Sequence, residues 1–213
     1  PKGFEFFSVL LLDMSGSRIG DIPKLQQAAN SFIDAVPVGL EVGIFTFDGR
    51  TTLEQQLGFT TSKSAMKKAV TALSNYKVVD KSTNLYGAVL EGIKKLKARK
   101  AKAATGKETS GFMVLFTDGT DQASIKTAAE AKTAVDDARK GDLSFFSIGL
   151  GKEINKTELQ NFGPDGFQFA GDSSKLNTAF QTIAAALKAL SDRYYLLAYC
   201  SPKRAGSHKL TLK

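Results

Sequence analysis

Three oxygen-bearing side chains directly follow an apolar run near the start of the chain. The run FFSVLLL occupies residues 6–12, and Asp13, Ser15 and Ser17 come after it at alternate positions. Such a run predicts a parallel strand buried on both faces, because a half-exposed strand alternates polar and apolar residues. Ligands of open α/β sheets lie at the carboxyl ends of the strands. We therefore interpret the three side chains as candidate ligands of a hard divalent cation.

Thr83 and Asp118 stand at comparable points further along the chain. Asp118 follows a second apolar run, residues 111–117, and Thr83 precedes Asn84, a predicted helix cap. In a doubly wound sheet of order 3-2-1-4-5-6, the first and fourth strands are neighbours. Asp13 and Asp118 would then face each other across a crevice, and Thr83 would begin a helix whose amino end faces the same side. The sequence therefore predicts a single site that contains Asp13, Ser15, Ser17, Thr83 and Asp118.

The chemistry of this donor set restricts the metal. All five residues offer oxygen and none is His or Cys, which suits Mg²⁺, with Mn²⁺ or Ca²⁺ as alternatives, and disfavours zinc and copper. Mg²⁺ takes about six oxygen ligands and usually retains water, so a coordination position stays open. If the three neutral hydroxyls are the direct ligands, they neutralise little of the ion's charge. An Asp or Glu of a partner protein is then the most natural further ligand.

Apolar periodicity places these residues in an α/β architecture. Predicted strands alternate with predicted helices, which is typical of a mostly parallel, doubly wound sheet with helices on both faces. The predicted strands are residues 6–12, 40–47, 51–57, 111–117, 143–150 and 167–170. The predicted helices begin at Pro23 and after the caps Ser62 and Asn84, and continue with residues 124–139, 156–161 and 174–190.

Several single residues have simple structural interpretations. Asp48-Gly49 predicts a tight hairpin turn, which makes residues 51–57 an antiparallel edge strand. Asp121 either supports the predicted site from behind or is a solvent-facing loop acid. His208, the single histidine, is interpreted as a surface or packing residue. The strand phenylalanines are predicted core residues: Phe45, Phe112, Phe116, Phe145 and Phe146.

Length and composition favour one soluble-type domain followed by a short extension. The chain has 213 residues, and the regular alternation of elements favours a single domain over residues 1–191. Residues 192–213 depart from this rhythm and predict a hairpin-like extension, with strands at 193–200 and 208–212. Cys200 is the single cysteine, so no internal disulfide is possible. Because the chain starts at Pro1 without Met, we expect it to be part of a longer protein.

The charge of the chain does not indicate a nucleic-acid partner. The formal net charge is +8, and much of the excess lies between residues 94 and 107, in Lys94, Lys95, Lys97, Arg99, Lys100, Lys102 and Lys107. This segment contains no aromatic residue to stack on bases. We interpret it as a solvated helix end and loop. No apolar stretch approaches the roughly 20 residues needed to span a bilayer.

Three motifs of this chain resemble, in the same order, the metal-ion-dependent adhesion site of von Willebrand factor type A domains: Asp13-Met14-Ser15-Gly16-Ser17, Thr83 and Phe116-Thr117-Asp118-Gly119. The order of elements is similar over residues 4–190. The resemblance implies a Rossmann-like fold, Mg²⁺ at the top of the sheet and protein binding through that ion. It also implies that Ser15, Ser17 and Thr83 bind the ion directly, and that Asp13 and Asp118 act mainly through water.

The resemblance has two further implications. In some members of the family the last helix slides when the metal ligands rearrange, and here that helix is residues 174–190. The tail resembles an extension of bacterial members. Together with the absence of disulfides, it favours a bacterial cell-surface or periplasmic protein, but it leaves the compartment undetermined.

These observations favour a binding module over an enzyme. The leading hypothesis is a cation-dependent module that captures a partner protein by accepting its carboxylate at the metal. One alternative is a phosphatase or phosphotransferase similar to the haloacid dehalogenases, in which a strand-terminal Asp is the nucleophile. Such enzymes place a second Asp two residues later as general acid, and here Ser15 stands at that position. A second alternative is a structural subunit in which the metal is merely stabilising.

Overall fold

Six strands form one sheet in the computed structural model of the protein, which describes residues 3–15 and 22–193. The strands are β1 (Phe4–Asp13), β2 (Glu41–Phe47), β3 (Glu54–Thr60), β4 (Glu108–Thr117), β5 (Leu143–Leu150) and β6 (Gly166–Ala170). Their order is β3-β2-β1-β4-β5-β6, and only β3 pairs antiparallel within these residues. The predicted fold class, strand order and antiparallel edge strand are confirmed.

Helices cover both faces of this sheet. They are α1 (Ile22–Ala35), α2 (Lys63–Ala72), α3 (Leu85–Lys100), α4 (Ala128–Arg139), α5 (Lys156–Phe162) and α6 (Leu176–Ser191). Side chains of β1 alternate between two cores: Leu10 and Leu12 pack with α1, α2 and α6, whereas Val9 and Leu11 pack with α3, α4 and α5. Burial of each such side chain stabilises the fold by about 1.5–3 kcal/mol. The central strand is therefore buried on both faces, as its unbroken apolar sequence predicts.

The aromatic core agrees with the sequence interpretation. The phenylalanines predicted to be internal are all buried: Phe45, Phe112, Phe116, Phe145 and Phe146. Phe116 also contacts Phe180 of α6, with ring centroids 5.8 Å apart. Within the described residues, no helix combines the length and apolar character required to cross a membrane.

The predicted tight hairpin at Asp48-Gly49 is wrong. Thr46 of β2 pairs with Glu54 of β3, so residues 48–53 form a longer loop and β3 begins three positions later than predicted. The side chain of Asp48 is buried instead of exposed in a turn. Its Oδ1 accepts hydrogen bonds from the backbone N–H of Arg50 at 3.0 Å and from the Arg50 guanidinium at 2.8 Å. In a two-residue turn Arg50 would begin the partner strand, whereas here it lies in the loop before β3 and pairs with Asp48.

The start of α4 also differs from the prediction. The helix begins at Ala128 and not at Ser124, whose backbone is left-handed with φ of 52°. Thr127 and Glu130 form a reciprocal capping box, in which each side chain accepts a hydrogen bond from the other residue's backbone N–H. Such a box satisfies two backbone donors at once and therefore defines the first turn.

The prediction that the basic segment is solvated is wrong for Arg99. Its side chain is only 11% exposed and lies between two carboxylates at the lower end of the sheet. The guanidinium donates to both carboxylate oxygens of Glu41, at 2.9 and 2.7 Å, and to Glu5 at 3.0 Å. It also lies 5.3 Å from the ring centroid of Phe7. The predicted tail strands, with Cys200 and His208, lie outside the described residues.

Candidate metal centre

At the end of β1, the side chains of Asp13 and Ser15 lie in a buried crevice. Both side chains are buried, and the backbone N–H of Ser15 donates to Asp13 Oδ1 at 2.9 Å. The N–H of Met14 donates to the carbonyl of Phe47 at 2.8 Å, so the chain stays attached to β2 for one residue beyond the strand. This geometry follows from the sequence, because Asp and Ser hydrogen-bond nearby backbone groups and so end a strand in a defined turn.

The segment that precedes α3 brings Thr83 to the same crevice. The buried hydroxyl of Thr83 donates to Ser15 Oγ at 3.0 Å, although 68 positions separate the two residues. Asn84 caps α3 by accepting a hydrogen bond from the N–H of Gly87 at 3.2 Å. The helix amino terminus, with its partial positive charge, therefore begins directly behind Thr83.

The end of β4 completes the crevice. Thr117 donates a short hydrogen bond of 2.6 Å to Asp13 Oδ2, and its hydroxyl accepts a hydrogen bond from the N–H of Gly119 at 3.2 Å. Asp118 between them is buried. A Cβ added to Gly119 would lie 3.7 Å from Thr83 Oγ1. The Asp118-Gly119 turn therefore lies against Thr83 on one side and Asp13 on the other.

The electrostatics of the crevice are those of two carboxylates held together in a buried place. Burial raises the pKa of Asp13, and the nearby charge of Asp118 raises it further. The hydrogen bonds from Thr117 and Ser15 act in the opposite direction but do not cancel this rise. A divalent cation bound beside Asp13 would act in the opposite direction and favour its ionised form.

Four of the five sequence-predicted site residues meet in this crevice: Asp13, Ser15, Thr83 and Asp118. Ser17 lies outside the described residues. Across residues 3–15 and 22–193, no group of three or more His, Cys, Asp or Glu side chains could hold a metal ion. The donors are thus two carboxylates with hydroxyls, a set of hard oxygens that fits Mg²⁺, Mn²⁺ or Ca²⁺.

Asp121 links two of the ligand-bearing loops, which decides between its two interpretations. Its Oδ1 accepts a hydrogen bond from the N–H of Tyr86 at 3.1 Å, and its Oδ2 accepts one from the N–H of Ser124 at 2.9 Å. The Thr83 carbonyl accepts two further bonds, from the N–H groups of Gln122 at 2.8 Å and Ala123 at 3.1 Å. Asp121 therefore supports the crevice by tying the loop after β4 to the start of α3.

Asp48 holds the Thr83 segment from the opposite side. Its carbonyl accepts a hydrogen bond from the N–H of Asn84 at 3.1 Å, and its Oδ2 accepts one from the N–H of Val79 at 3.3 Å. Burial raises the pKa of Asp48, but the hydrogen bonds from Arg50 and Val79 outweigh burial and leave its pKa below the ordinary value. Asp48 therefore stays ionised while it anchors the loop.

Thr117 and Asp48 contribute to the site although neither is among the five residues predicted from the sequence. Thr117 is predicted as the end of a strand and as a member of the Phe116-Thr117-Asp118-Gly119 motif, with no contact for its side chain, yet its hydroxyl donates to Asp13 on the neighbouring strand. The signal that could have revealed it is strand register, because Leu12 pairs with Phe116 and the next residues on the two strands are Asp13 and Thr117. Asp48 carries no comparable signal, since its role depends on contacts with residues about 30 positions away.

Comparison with known families gives one clear result. The sequence profile described as von Willebrand factor type A domain matches residues 9–192 of this chain. A search of curated protein sequences gave no match.

Solved structures of similar fold come from animals and bacteria. Proximal thread matrix protein 1 from the mussel byssus has a TM-score of 0.70 and 15% identity, over 86% of this chain and 48% of that chain. The conserved hypothetical protein BatB from Bacteroides thetaiotaomicron has a TM-score of 0.67 and 15% identity, over 88% of this chain and 99% of that chain.

The vWF domain of the type V pili tip protein Mfa5 from Porphyromonas gingivalis also has a TM-score of 0.67, at 11% identity, over 91% of this chain and 98% of that chain. A further structure of the mussel protein has a zinc-occupied MIDAS motif, the abbreviation for a metal-ion-dependent adhesion site. These low identities indicate a shared fold, and this chain spans about half the length of the mussel protein.

Proposed function

The chain belongs to the von Willebrand factor type A family, and we propose that it is a divalent-cation-dependent protein-binding module that captures an acidic residue of its partner. Domains of this family are commonly protein-interaction modules. The similar structures include a byssus matrix protein and a pilus tip protein. The partner of this chain is proposed to be a protein that offers an Asp or Glu carboxylate.

The observation that carries this proposal is the contact between Thr83 and Ser15. The two hydroxyls lie 3.0 Å apart, beside the buried carboxylates of Asp13 and Asp118. Hydroxyls from distant parts of the chain that converge on paired carboxylates form a donor set for a hard cation. A structural turn or a helix cap would not require this convergence.

In this proposal, Ser15, Ser17 and Thr83 hold Mg²⁺ directly, while Asp13 and Asp118 act mainly through water. The bound ion would supply a Lewis-acidic centre for a carboxylate oxygen of the partner. Mn²⁺ or Ca²⁺ could occupy the same donors. Thr117 orients the Asp13 carboxylate from behind, and the Ser15 N–H fixes its other oxygen.

We propose that the module is not an enzyme. The position of the general acid in haloacid-dehalogenase-like enzymes is occupied by Ser15. Hydrolysis of a generic phosphate ester that disappears in Asp13→Asn would contradict this statement.

The experiment that tests the metal site is calorimetric titration of the domain with Mg²⁺, Mn²⁺, Ca²⁺ and Zn²⁺. Asp13→Ala and Asp118→Ala are expected to abolish binding of the preferred ion while circular dichroism shows a folded domain. Asp34→Ala is the matched control, because this exposed carboxylate lies near the carboxyl end of α1. Unchanged Mg²⁺ and Mn²⁺ affinity in both site variants would refute the site.

A pull-down from the native source tests the function of the metal. The proposal predicts that a partner is retained in Mg²⁺ and released by chelator. A partner that is retained equally under both conditions would instead indicate a metal with a purely stabilising role. We further propose that the module acts at a bacterial cell surface or in the periplasm as part of a longer protein, in line with the type V pili tip protein among its structural neighbours.

A further inference from the structure

We propose that a groove between α3 and the segment before α4 binds an acidic, partly apolar peptide segment of the partner protein, next to the residue captured at the metal. The groove has a volume of about 460 Å³. This inference rests on the proposed function for the identity of the partner, but its own observations are independent of the metal ligands.

One side of the groove is a single face of α3. Gly87, Leu90, Lys94 and Lys97 line it, and their spacing of three and four residues puts them on one helical stripe. Gly87 and Lys97 are ten residues apart in the helix, which corresponds to about 15 Å along its axis. The groove is therefore long enough for several residues of an extended peptide.

The upper end of the groove adjoins the candidate metal centre. Asn84, the neighbour of Thr83 in sequence, lines the groove together with Thr51. The opposite wall begins at Ile125 and Lys126, directly after the Asp121–Ser124 hydrogen bond that ties this loop to α3. The upper end of the groove thus begins one residue from Thr83, which places it next to the proposed position of the captured carboxylate.

The charge of the groove favours an acidic occupant. Lys94, Lys97 and Lys126 line it, against the single carboxylate of Glu91. Lys94 pairs with Glu91 at 2.6 Å and Lys126 with Glu130 at 3.3 Å, but all four side chains are substantially exposed. Exposed pairs of this kind contribute little and are easily exchanged for other partners.

The remaining lining is apolar, which favours a peptide over a nucleic acid. Leu90, Ile93, Ala134 and Ile125 line the groove, and Ile125 is 47% exposed, which makes it one of the few exposed large apolar residues among those described. No aromatic side chain that could stack on a base is present among the described lining residues. Apolar contacts flanked by lysines match a segment that combines Asp or Glu with a large apolar residue.

The test uses a displayed library of random 12-residue peptides, selected on the wild-type domain in Mg²⁺. We expect the enriched peptides to be rich in Asp and Glu and to contain a large apolar residue. The affinity of the most enriched peptide, measured by fluorescence anisotropy, should fall at least 10-fold for Lys97→Glu and for Ile125→Asp.

Two substitutions of the same type, Lys to Glu and a β-branched apolar residue to Asp, serve as controls for these variants. Lys68→Glu lies on α2, across the sheet, and Val38→Asp changes a loop residue that is 97% exposed. Each should change peptide affinity by less than 2-fold. Three results would refute the groove as a peptide-binding site: failure to enrich any peptide, enrichment without acidic bias, or equal effects of Lys97→Glu and Lys68→Glu.

Repeating the measurement with chelator separates this inference from the proposed function. Peptide binding that is unchanged by chelator but still weakens in Lys97→Glu and Ile125→Asp would contradict the metal-dependent function and support the groove as a peptide-binding site. Mg²⁺-dependent binding that is insensitive to both groove variants would contradict the proposed groove and support the metal-dependent function. Competition by a single-stranded oligonucleotide as effective as the unlabelled peptide would also overturn the groove, because it would indicate a general polyanion surface.

Discussion

Thr83 Oγ1 donates a hydrogen bond of 3.0 Å to Ser15 Oγ across 68 positions of the sequence. Other contacts fix the position of Thr83, because two backbone N–H groups of the loop after β4 donate to its carbonyl at 2.8 and 3.1 Å. The protein's own contacts therefore hold two of the proposed ligands within hydrogen-bond distance. Such preorganisation lowers the entropic cost of assembling a binding site.

Replacement of Thr83 tests whether its hydroxyl is a ligand. Thr83→Val keeps the shape of the side chain but removes the oxygen, so Mn²⁺ affinity should fall at least about 10-fold in calorimetry. Loss of the single hydrogen bond to Ser15 should cost about 1 kcal/mol of stability. Thr83→Ser retains a hydroxyl and should bind Mn²⁺ within about 3-fold of wild type. Equal Mn²⁺ affinity of the Val and Ser variants would show that Thr83 is not a ligand of the metal.

Thr117 offers a test of how Asp13 is held. Its hydroxyl donates to Asp13 Oδ2 at 2.6 Å and accepts from the Gly119 N–H. Thr117→Val leaves the buried Asp13 carboxylate without this donor and the half-buried Gly119 N–H without its acceptor, so the free energy of unfolding should fall by about 1–3 kcal/mol. Urea unfolding in chelator measures this cost without any contribution from metal. Thr117→Ser, which keeps the hydroxyl, should recover most of the loss. A Val variant as stable as wild type would contradict the contact.

The part of the fold that could be predicted from sequence depends on local periodicity. The residues of β1 are apolar on both faces, and the stripes of α1, α3 and α6 recur at helical spacing, so element types and their order follow without tertiary information. Strand order then places the ends of β1 and β4 side by side. This is why Asp13, Ser15, Thr83 and Asp118 could be predicted to converge.

The features that could not be predicted depend on contacts between distant residues. Asp48 and Gly49 have the composition of a tight turn, but the ion pair with Arg50 and the hydrogen bond from Val79 keep the loop open. Arg99 lies in a lysine-rich stretch that suggests solvent exposure, and only the partners Glu5 and Glu41 explain its burial. The remote partner of Asp48 is the N–H of Val79, and the remote partners of Arg99 are the carboxylates of Glu5 and Glu41.

Asp121 is expected to control metal affinity without binding the metal. Asp121→Ala removes two hydrogen bonds from backbone N–H groups to a charged acceptor, which should cost about 2 kcal/mol of stability. Asp121 holds the loop whose Gln122 and Ala123 N–H groups bind the Thr83 carbonyl. Mn²⁺ affinity should therefore fall by about 10- to 100-fold, the usual effect of losing an outer-shell partner.

A second carboxylate provides the control for Asp121. Asp165 also accepts a backbone hydrogen bond, from Phe145 at 2.9 Å, and pairs with Arg139 at the amino end of β5, away from the crevice. Asp165→Ala should cost similar stability while leaving Mn²⁺ affinity unchanged. If both variants reduced affinity equally, the effect of Asp121 would be one of general destabilisation, and its positioning role would be refuted.

Arg99 links the stability of the domain to pH through Glu5. The hydrogen bond from Arg99 is the main cause of a lowered pKa at Glu5, so in the folded state Glu5 releases its proton at a lower pH than in the unfolded state. The stabilisation from this pair is therefore complete above the unfolded pKa of about 4.3. It is lost as the pH falls through the lower folded pKa.

Arg99→Met should consequently destabilise the domain in a pH-dependent way. At pH 7 the loss should be about 2 kcal/mol, below the 3–5 kcal/mol of a fully buried pair, because Glu5 and Glu41 remain 15% and 28% exposed. Between pH 5 and pH 3, the difference from wild type in urea unfolding should shrink, since Glu5 becomes protonated. Lys94→Met, which breaks a surface pair on the same helix, should change stability by less than about 0.5 kcal/mol at either pH. A difference for Arg99→Met that stays constant from pH 7 to pH 3 would show that lost packing against Phe7, and not the ion pair, is the cause.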